Sequence, residues 1–198
     1  MIEKKNIMPN LYIIAGCNGA GKTTASFTLL PEMLDCEEFI NADEIARGLS
    51  PFNPDKSAIE AGRIMLKKID YLIKNEKDFA FETTLATKSY VKTIDFAKNL
   101  DYQVTLIFYW LESPELAIER VKLRVSEGGH DIPKAVIIRR YISGIKNLFD
   151  LYIPISDYWI IFDHSGSESI HVAEGYSGKE IIIKNKRIFA LIEEKRKQ

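Results

Sequence analysis

The residue types most able to do chemistry stand together near the start of the chain, where Gly16–Thr23 has the pattern G-x-x-x-x-G-K-T. In this P-loop pattern, backbone N–H groups close around phosphates, the lysine reaches the β- and γ-phosphates, and the threonine hydroxyl ligates Mg²⁺. We therefore expect Lys22 to act in catalysis and Thr23 to bind the metal. The residues expected to bind the nucleotide are Gly16, Asn18, Gly19, Ala20, Gly21, Lys22, Thr23 and Thr24. A glycine turn that binds nothing is the alternative.

The elements on either side of this pattern are those that a phosphate site needs. Leu11–Ala15 is a short run of bulky apolar residues, as in a buried parallel strand. The residues after Lys22 can continue as a helix until Pro31. The pattern thus lies at a helix N-terminus, whose dipole favours anions.

Two acidic residues, Asp43 and Glu82, stand at the ends of the next two predicted strands. Ligands of open α/β sheets bind beyond the carboxyl ends of the strands. Where a P-loop belongs to a kinase, the enzyme must orient or deprotonate an acceptor hydroxyl and hold Mg²⁺ on the transferred phosphoryl group. We predict that Asp43 is the catalytic base and that Glu82 contacts the substrate or the hydrated metal. In the alternative, Asp43 caps a helix at Glu44 and Glu82 binds the backbone of Thr84.

Arginines cluster on two successive predicted helices. Arg120 and Arg124 are four residues apart and share a helix face, and Arg139 and Arg140 follow beyond the turn at 128–133. Two helices joined by a glycine hinge can form a lid that brings guanidinium groups onto ATP phosphates. We predict Arg120 and Arg124 as catalytic residues, and either Arg139 or Arg140 could complete the lid. A solvated helix face paired with neighbouring acids is the alternative.

Composition is ordinary for a globular protein, with 46% hydrophobic and 28% charged residues among 198. The formal net charge of −1 indicates neither a nucleic-acid nor a membrane partner. No apolar stretch approaches the ~18 residues of a membrane span, and no signal peptide is evident. Cys17 and Cys36 are the only cysteines and require no disulfide, so we expect a reducing, cytoplasmic location.

Apolar runs alternate with longer helical stretches along the chain, a pattern that predicts βαβ units and a parallel sheet. The fold class expected is α/β, a P-loop NTPase fold with about five mainly parallel strands and helices on both faces. The predicted strands are Leu11–Ala15, Glu38–Asn41, Phe79–Glu82, Gln103–Trp110 and Tyr158–Asp163. The predicted helices are Lys22–Leu30, Pro54–Lys74, Thr87–Asn99, Pro114–Glu127 and Pro133–Phe149.

The last 30 or so residues have a different pattern from the rest. Ser169–Ala173 and Glu180–Asn185 are separated by a glycine-containing turn and predict a β-hairpin, and a basic helix at Lys186–Lys197 follows. No domain linker is evident. We expect one kinase-like domain over residues 1–198, with a helical lid at about 114–149 and the hairpin and helix at about 168–198.

With these residues in view, the chain resembles the zeta-toxin family of P-loop kinases from about Leu11 to Gly166. The resemblance depends on the P-loop, on N-A-D-E-I-A-R-G-L at 41–49, on F-E-T-T-L at 81–85, on the Arg120/Arg124 helix and on the Gly-Gly-His-x-Ile-Pro turn. It implies ATP and Mg²⁺ as cofactors and a small acceptor, UDP-N-acetylglucosamine, phosphorylated on its 3′-hydroxyl. It also implies Asp43 as the base and Arg47, Glu82 and Thr84 as substrate contacts.

The sequence departs from the family pattern at one point. The family's toxins carry a second lid arginine shortly before the proline that opens the next helix, whereas this stretch reads Gly129-His130-Asp131 here. Toxins of this kind also have an antitoxin protein as partner, which these residues do not identify.

Two other functions stay open. A kinase for another small metabolite or for a nucleic-acid end would use the same parts, although no basic groove with stacking aromatic residues is evident for nucleic acid. A nucleotide-binding switch without phosphoryl transfer is the second. It is disfavoured because the D-x-x-G string at 163–166 stands near the end of the chain and no N-K-x-D string occurs.

Overall fold

The apolar run ahead of the P-loop forms the central strand in the computed structural model, which describes residues 8–129 and 131–197. This strand, β1 (Asn10–Gly16), pairs in parallel with β3 (Phe79–Thr83) on one side and with β4 (Gln103–Trp110) on the other. Its residues after Asn10 are all buried, as expected for a parallel strand covered on both faces. The predicted α/β fold is therefore confirmed.

The sheet has seven strands in the order β2-β3-β1-β4-β5-β6-β7. The remaining strands are β2 (Phe39–Ile40), β5 (Tyr158–Asp163), β6 (Ile170–Tyr176) and β7 (Ile182–Ile183). The first five strands along the chain are parallel, whereas β6 runs antiparallel to β5 and β7 antiparallel to β6. The count exceeds the predicted five because the C-terminal hairpin, which was expected, extends the same sheet.

The helices are α1 (Lys22–Thr28), α2 (Ala42–Leu49), α3 (Ala58–Lys74), α4 (Ser89–Lys98), α5 (Pro114–Ser126), α6 (Lys134–Asn147), α7 (Ile153–Ile155) and α8 (Lys186–Arg196). Short π-helical segments follow α1 at Leu29–Met33 and α6 at Leu148–Tyr152, and a 3₁₀ turn, Pro54–Ser57, precedes α3. The helix α2 is not among those that the sequence predicts. It is amphipathic, begins at the Asn41 cap and spans only eight residues.

Sequence signals at helix ends and along helix faces are visible in the packing. Ser113 caps α5, because its hydroxyl accepts a hydrogen bond from the Leu116 N–H at 3.1 Å. The long helix α3 buries one stripe at helical spacing, formed by Ala61, Met65, Ile69, Leu72 and Ile73. None of the helices in the described ranges has the length and apolar character needed to cross a membrane.

The C-terminal hairpin joins β5 through the antiparallel pairing of β6, and a carboxylate on β6 adds a side-chain contact. The Tyr158 hydroxyl donates a 2.5 Å hydrogen bond to Glu174 Oε2, and this bond holds the pKa of Glu174 below its ordinary value near 4.5. Lys184 lies 3.6 Å from the other oxygen of the same carboxylate. The hairpin thus closes one edge of the sheet, at the opposite side from β2.

Candidate active site

The P-loop leaves β1 at a point where only glycine fits. Gly16 has a φ of +142°, and a Cβ at this position would lie 2.3 Å from the carbonyl oxygen of Tyr109 on β4. The chain can therefore turn sharply off the strand and place the backbone of residues 17–21 ahead of α1. Burial raises the pKa of the Cys17 thiol in this loop to about 11, which favours the protonated thiol over the nucleophilic thiolate near neutral pH.

Lys22 is fixed at the start of α1. Its side chain is only 5% exposed, and its ammonium donates to the Cys17 carbonyl at 2.9 Å and lies 3.3 Å from Glu82 Oε1. A cation at this place, beside the N-terminus of a helix, is positioned for the phosphates of a nucleotide.

Glu82 is the centre of a compact polar network. The Thr23 hydroxyl donates to Glu82 Oε2 at 2.6 Å, and the Asn41 amide donates to the same oxygen at 2.9 Å. The network forms because β1, β2 and β3 are adjacent and parallel, so that their carboxyl ends lie side by side. Glu82 contacts these side chains and Lys22, not the backbone of Thr84.

Asn41 is a residue that the sequence prediction did not assign to the site. Besides contacting Glu82, it caps α2, because its Oδ1 accepts from the Asp43 N–H at 2.8 Å. Its signal in the sequence is a helix-capping residue type directly after a strand. Since Asn41 is the cap, the carboxylate of Asp43 is left exposed in the first turn of α2.

Two cavities meet at this network. The phosphate cavity, about 270 Å³, is lined by the P-loop with Lys22, Thr23 and Thr24, and by Arg120 and Arg124. The acceptor cavity, about 170 Å³, is lined by Asn18, Asn41, Ala42, Asp43, Glu82, Thr83, Thr84, Thr87, Tyr90 and Arg140. Asn18, Asp43 and Glu82 line both.

The predicted arginines occupy different places. Arg120 lines the phosphate cavity while its guanidinium donates to the Ser165 carbonyl at 2.9 Å, which links α5 to the loop after β5. Arg124 lines the same cavity. Arg140 donates to Asn18 Oδ1 at 3.1 Å, whereas Arg139 is exposed.

The loop after β5 also contacts the P-loop directly. His164 Nδ1 lies 2.8 Å from the Ala20 carbonyl, and its ring stacks at a tilt on Tyr109. His164 was not predicted as a site residue, since a lone histidine after a strand carries no sequence signal for this contact. The His130 of the predicted lid turn lies outside the described residues.

Arg47 and Thr84, the other residues expected to contact substrate, line two different cavities, and Asp43 lines both of them. Thr84 lines the acceptor cavity. Arg47 pairs with Glu44 at 3.1 Å on the surface and lines a separate small cavity, about 30 Å³, with Asp43 and Arg124.

The donor set fits a magnesium ion that is held mainly by phosphates and water. Thr23 offers a hydroxyl and Glu82 a carboxylate, 2.6 Å apart. Mg²⁺ in such sites takes one or two protein oxygens beside substrate phosphates and keeps several waters. Across residues 8–129 and 131–197, no group of three or more His, Cys, Asp or Glu side chains could form an all-protein cage.

A glycine-rich loop between a parallel strand and a helix, with a lysine, a threonine and carboxylates at neighbouring strand ends, defines the class of P-loop kinases. The model of the zeta toxin family matches residues 2–171. The chain belongs to the zeta toxin family.

Similar sequences and similar folds occur in other proteins. An uncharacterized protein of Haemophilus influenzae is 33% identical over 144 residues, which are 71% of this chain and all of that protein. A chain of the AvrRxo1-ORF1:-ORF2 crystal structure with ATP superposes with a TM-score of 0.74 at 17% identity, covering 96% of this chain and 65% of that one. A chain from the PezAT toxin-antitoxin system of Streptococcus pneumoniae superposes with a TM-score of 0.63 at 19% identity, covering 97% of this chain and 87% of that one. The two structural comparisons, at identities below 20%, show the fold alone.

Proposed function

We propose that the protein is a kinase that transfers the γ-phosphoryl group of ATP to a hydroxyl group of a small acceptor. The observation that carries the proposal is the meeting of the phosphate and acceptor cavities at Asn18, Asp43 and Glu82. A donor held by the P-loop and an acceptor beside Thr84 would react at this junction. Catalysis of phosphoryl transfer is chiefly positioning and charge stabilisation, which this arrangement supplies.

The transfer assigns one task to each group. The acceptor hydroxyl oxygen forms a bond to the γ-phosphorus, the bond from phosphorus to the β–γ bridging oxygen breaks, and ADP leaves with that electron pair. The hydroxyl proton passes to the Asp43 carboxylate. Lys22 stabilises charge on the β- and γ-phosphates, while Arg120 and Arg124 face the phosphate cavity from α5.

Thr23 and Glu82 would hold Mg²⁺, with Glu82 acting directly or through water. When bound, the metal would neutralise phosphate charge and align the β- and γ-phosphates. Asn41 keeps the Glu82 carboxylate oriented through its 2.9 Å hydrogen bond, so the metal position is prepared by two adjacent strand ends.

The acceptor we favour is UDP-N-acetylglucosamine, as the family resemblance implies. The acceptor cavity, at about 170 Å³, is smaller than the ~300–1,000 Å³ of drug-sized ligand sites, so it would hold only the reacting sugar. The rest of a nucleotide sugar would extend past Asp43 towards Arg47 and Arg124, which line the adjoining small cavity. A charged diphosphate suits two arginines.

The test is to incubate the purified protein with ATP, Mg²⁺ and UDP-N-acetylglucosamine, other nucleotide sugars or common metabolites, and to detect products heavier by one phosphoryl group by mass spectrometry. Asp43→Ala should lower kcat by about 10²–10⁴-fold and leave ATP affinity nearly unchanged. Asp95→Ala, which removes an exposed aspartate on α4, is the matched control.

Each outcome of this test has a distinct meaning. Phosphorylated UDP-N-acetylglucosamine that is absent with Asp43→Ala supports both the reaction and the acceptor. A different phosphorylated product supports the kinase function and contradicts UDP-N-acetylglucosamine as the acceptor. Tight ATP binding without product from any acceptor rejects the kinase in favour of a nucleotide-binding switch.

We also propose a cytoplasmic location, where ATP is available, and an antitoxin as protein partner. The two cysteines are free in the structure, as in a reducing compartment. The family assignment and the toxin-antitoxin system of the PezAT relative support the partner. Growth arrest on expression, abolished by Asp43→Ala, would test the toxic activity that an antitoxin must restrain.

A further inference from the structure

The helix α6 carries an arginine at the junction of the two cavities. We propose that Arg140 is a cationic group that stabilises the phosphoryl group during transfer from the acceptor side of the site. The inference rests on the proposed kinase function.

The first support is the position of its guanidinium. Arg140 Nη1 lies 3.1 Å from Asn18 Oδ1, and Asn18 lines both cavities. The γ-phosphate of a nucleotide on the P-loop would lie at this boundary and could replace the Asn18 oxygen as hydrogen-bond acceptor. A guanidinium binds phosphate oxygens more strongly than a neutral amide oxygen.

The second support is the packing that aims Arg140. Gly144 is one helical turn further along α6 and faces the loop after β3, where a Cβ would lie 2.5 Å from the Thr84 carbonyl oxygen. On the adjacent face, the Tyr141 hydroxyl donates to the Leu111 carbonyl at 2.8 Å. These contacts fix the rotation of α6, so that Arg140 faces the acceptor cavity while Arg139 faces solvent.

The third support is the charge of the acceptor cavity. Two carboxylates, Asp43 and Glu82, line it, and among its described lining residues Arg140 is the one cation. A phosphoryl group that enters between two carboxylates needs positive charge on the acceptor side. Lys22 supplies positive charge on the P-loop side, so Lys22 and Arg140 would bracket the group in transfer.

Arg120 is less suited to this role in the structure. Its guanidinium donates to the Ser165 carbonyl at 2.9 Å and holds the loop after β5 against α5. A guanidinium that is committed to a backbone carbonyl has fewer N–H groups to offer a phosphate.

The test compares Arg140→Ala with Arg139→Ala, two neighbouring substitutions of the same type on one helix. Loss of an arginine at a transferring phosphoryl group costs about 10³–10⁵-fold in kcat in other phosphoryl-transfer enzymes. We expect Arg140→Ala to lower kcat at least 100-fold, with ATP affinity changed less than about fivefold, and Arg139→Ala to remain near wild type. Free guanidinium ion should partly restore Arg140→Ala but not Asp43→Ala.

A binding measurement tests the proposed role of Arg140 even if no acceptor is found. ADP with aluminium fluoride and Mg²⁺ mimics the phosphoryl group in transfer, so its affinity should fall at least tenfold in Arg140→Ala while ADP affinity stays constant. Equal affinities for the mimic in Arg140→Ala and Arg139→Ala would overturn the proposal. If Arg140→Ala does not fold, Arg140→Lys replaces it, with the same expected direction. The kinase function itself is tested separately, by whether the wild-type protein forms a phosphorylated product.

Discussion

Replacing Glu82 by glutamine should make the nucleotide-free protein less stable, and ATP should remove most of the defect. Lys22 and Glu82 are 5% and 11% exposed, with the ammonium 3.3 Å from a carboxylate oxygen. Among the described residues, the Glu82 carboxylate is the charged group that pairs with this buried ammonium. In Glu82→Gln the ammonium is left with neutral acceptors, one of them the Cys17 carbonyl at 2.9 Å.

The size of the effect follows from this burial. Removing one partner of a buried ion pair costs about 3–5 kcal/mol, but glutamine keeps an acceptor oxygen, so a value on the scale of one charged hydrogen bond, about 2 kcal/mol, is expected. For a chain of this length, 1 kcal/mol corresponds to about 2–4 °C in Tm, so Glu82→Gln should lower Tm by roughly 4–8 °C. A bound triphosphate supplies negative charge to Lys22 and should reduce the difference in Tm between Glu82→Gln and wild type.

The assay is thermal unfolding followed by circular dichroism, with and without ATP, in EDTA so that no metal contributes. Glu44→Gln is the matched control, because Glu44 pairs with Arg47 at 3.1 Å on the surface, where an ion pair contributes at most about 1 kcal/mol. ATP should raise the Tm of Glu82→Gln by more than it raises that of wild type. Equal Tm values for Glu82→Gln and wild type without nucleotide would refute the reasoning.

Three further predictions concern packing and protonation. Gly144→Ala places a Cβ 2.5 Å from the Thr84 carbonyl, so it should push α6 outward, lower Tm and reduce kcat together, as unfolding and turnover measurements would show. Because burial raises the pKa of Cys17 to about 11, this thiol should react with iodoacetamide at pH 8 only after unfolding, as peptide mass mapping can detect. The hydrogen bond from Tyr158 lowers the pKa of Glu174, so the stability it contributes is present above about pH 4.5 and is lost as pH falls through the folded-state pKa. Tyr158→Phe should therefore flatten the dependence of unfolding free energy on pH between about 6 and 3, and an unchanged slope would contradict this.

Much of the fold could be predicted from the sequence because its strands and long helices carry strong local patterns. The central strands are continuous apolar runs, and α5 begins with a serine, a proline and an acidic residue. The helix α2 has a capping residue and an amphipathic pattern but only eight residues, and the sheet order has no local signal. Strand order depends on contacts between segments far apart in the chain, such as the parallel pairing of β1 with both β3 and β4.

The grouping of the candidate site's side chains was predictable to the extent that these residues stand at strand ends; their roles stay predictions. Lys22, Thr23, Asp43 and Glu82 follow from the P-loop and from the convergence of parallel strands at one edge. The contact of Arg140 with Asn18 joins residues 122 positions apart and depends on the rotation of α6, which no periodicity in the sequence specifies. The packing of Gly144 on the Thr84 carbonyl and the hydrogen bond from Tyr141 to the Leu111 carbonyl distinguish Arg140 from Arg139.

The charges of the free site indicate how nucleotide binding would change it. Without nucleotide, Glu82 pairs with Lys22 and accepts a hydrogen bond from Thr23, while Asn18 accepts one from Arg140. These three groups are thus held by partners within the site. A triphosphate with its metal offers Lys22, Thr23 and Arg140 stronger partners. Glu82 would then be released from the lysine towards the metal, and Asn18 from the arginine. The side chains that stabilise the free protein would thus bind the nucleotide during the reaction. The Tm of Glu82→Gln and the affinity of Arg140→Ala for the phosphoryl mimic therefore both measure this replacement of Glu82 and Asn18 by the nucleotide.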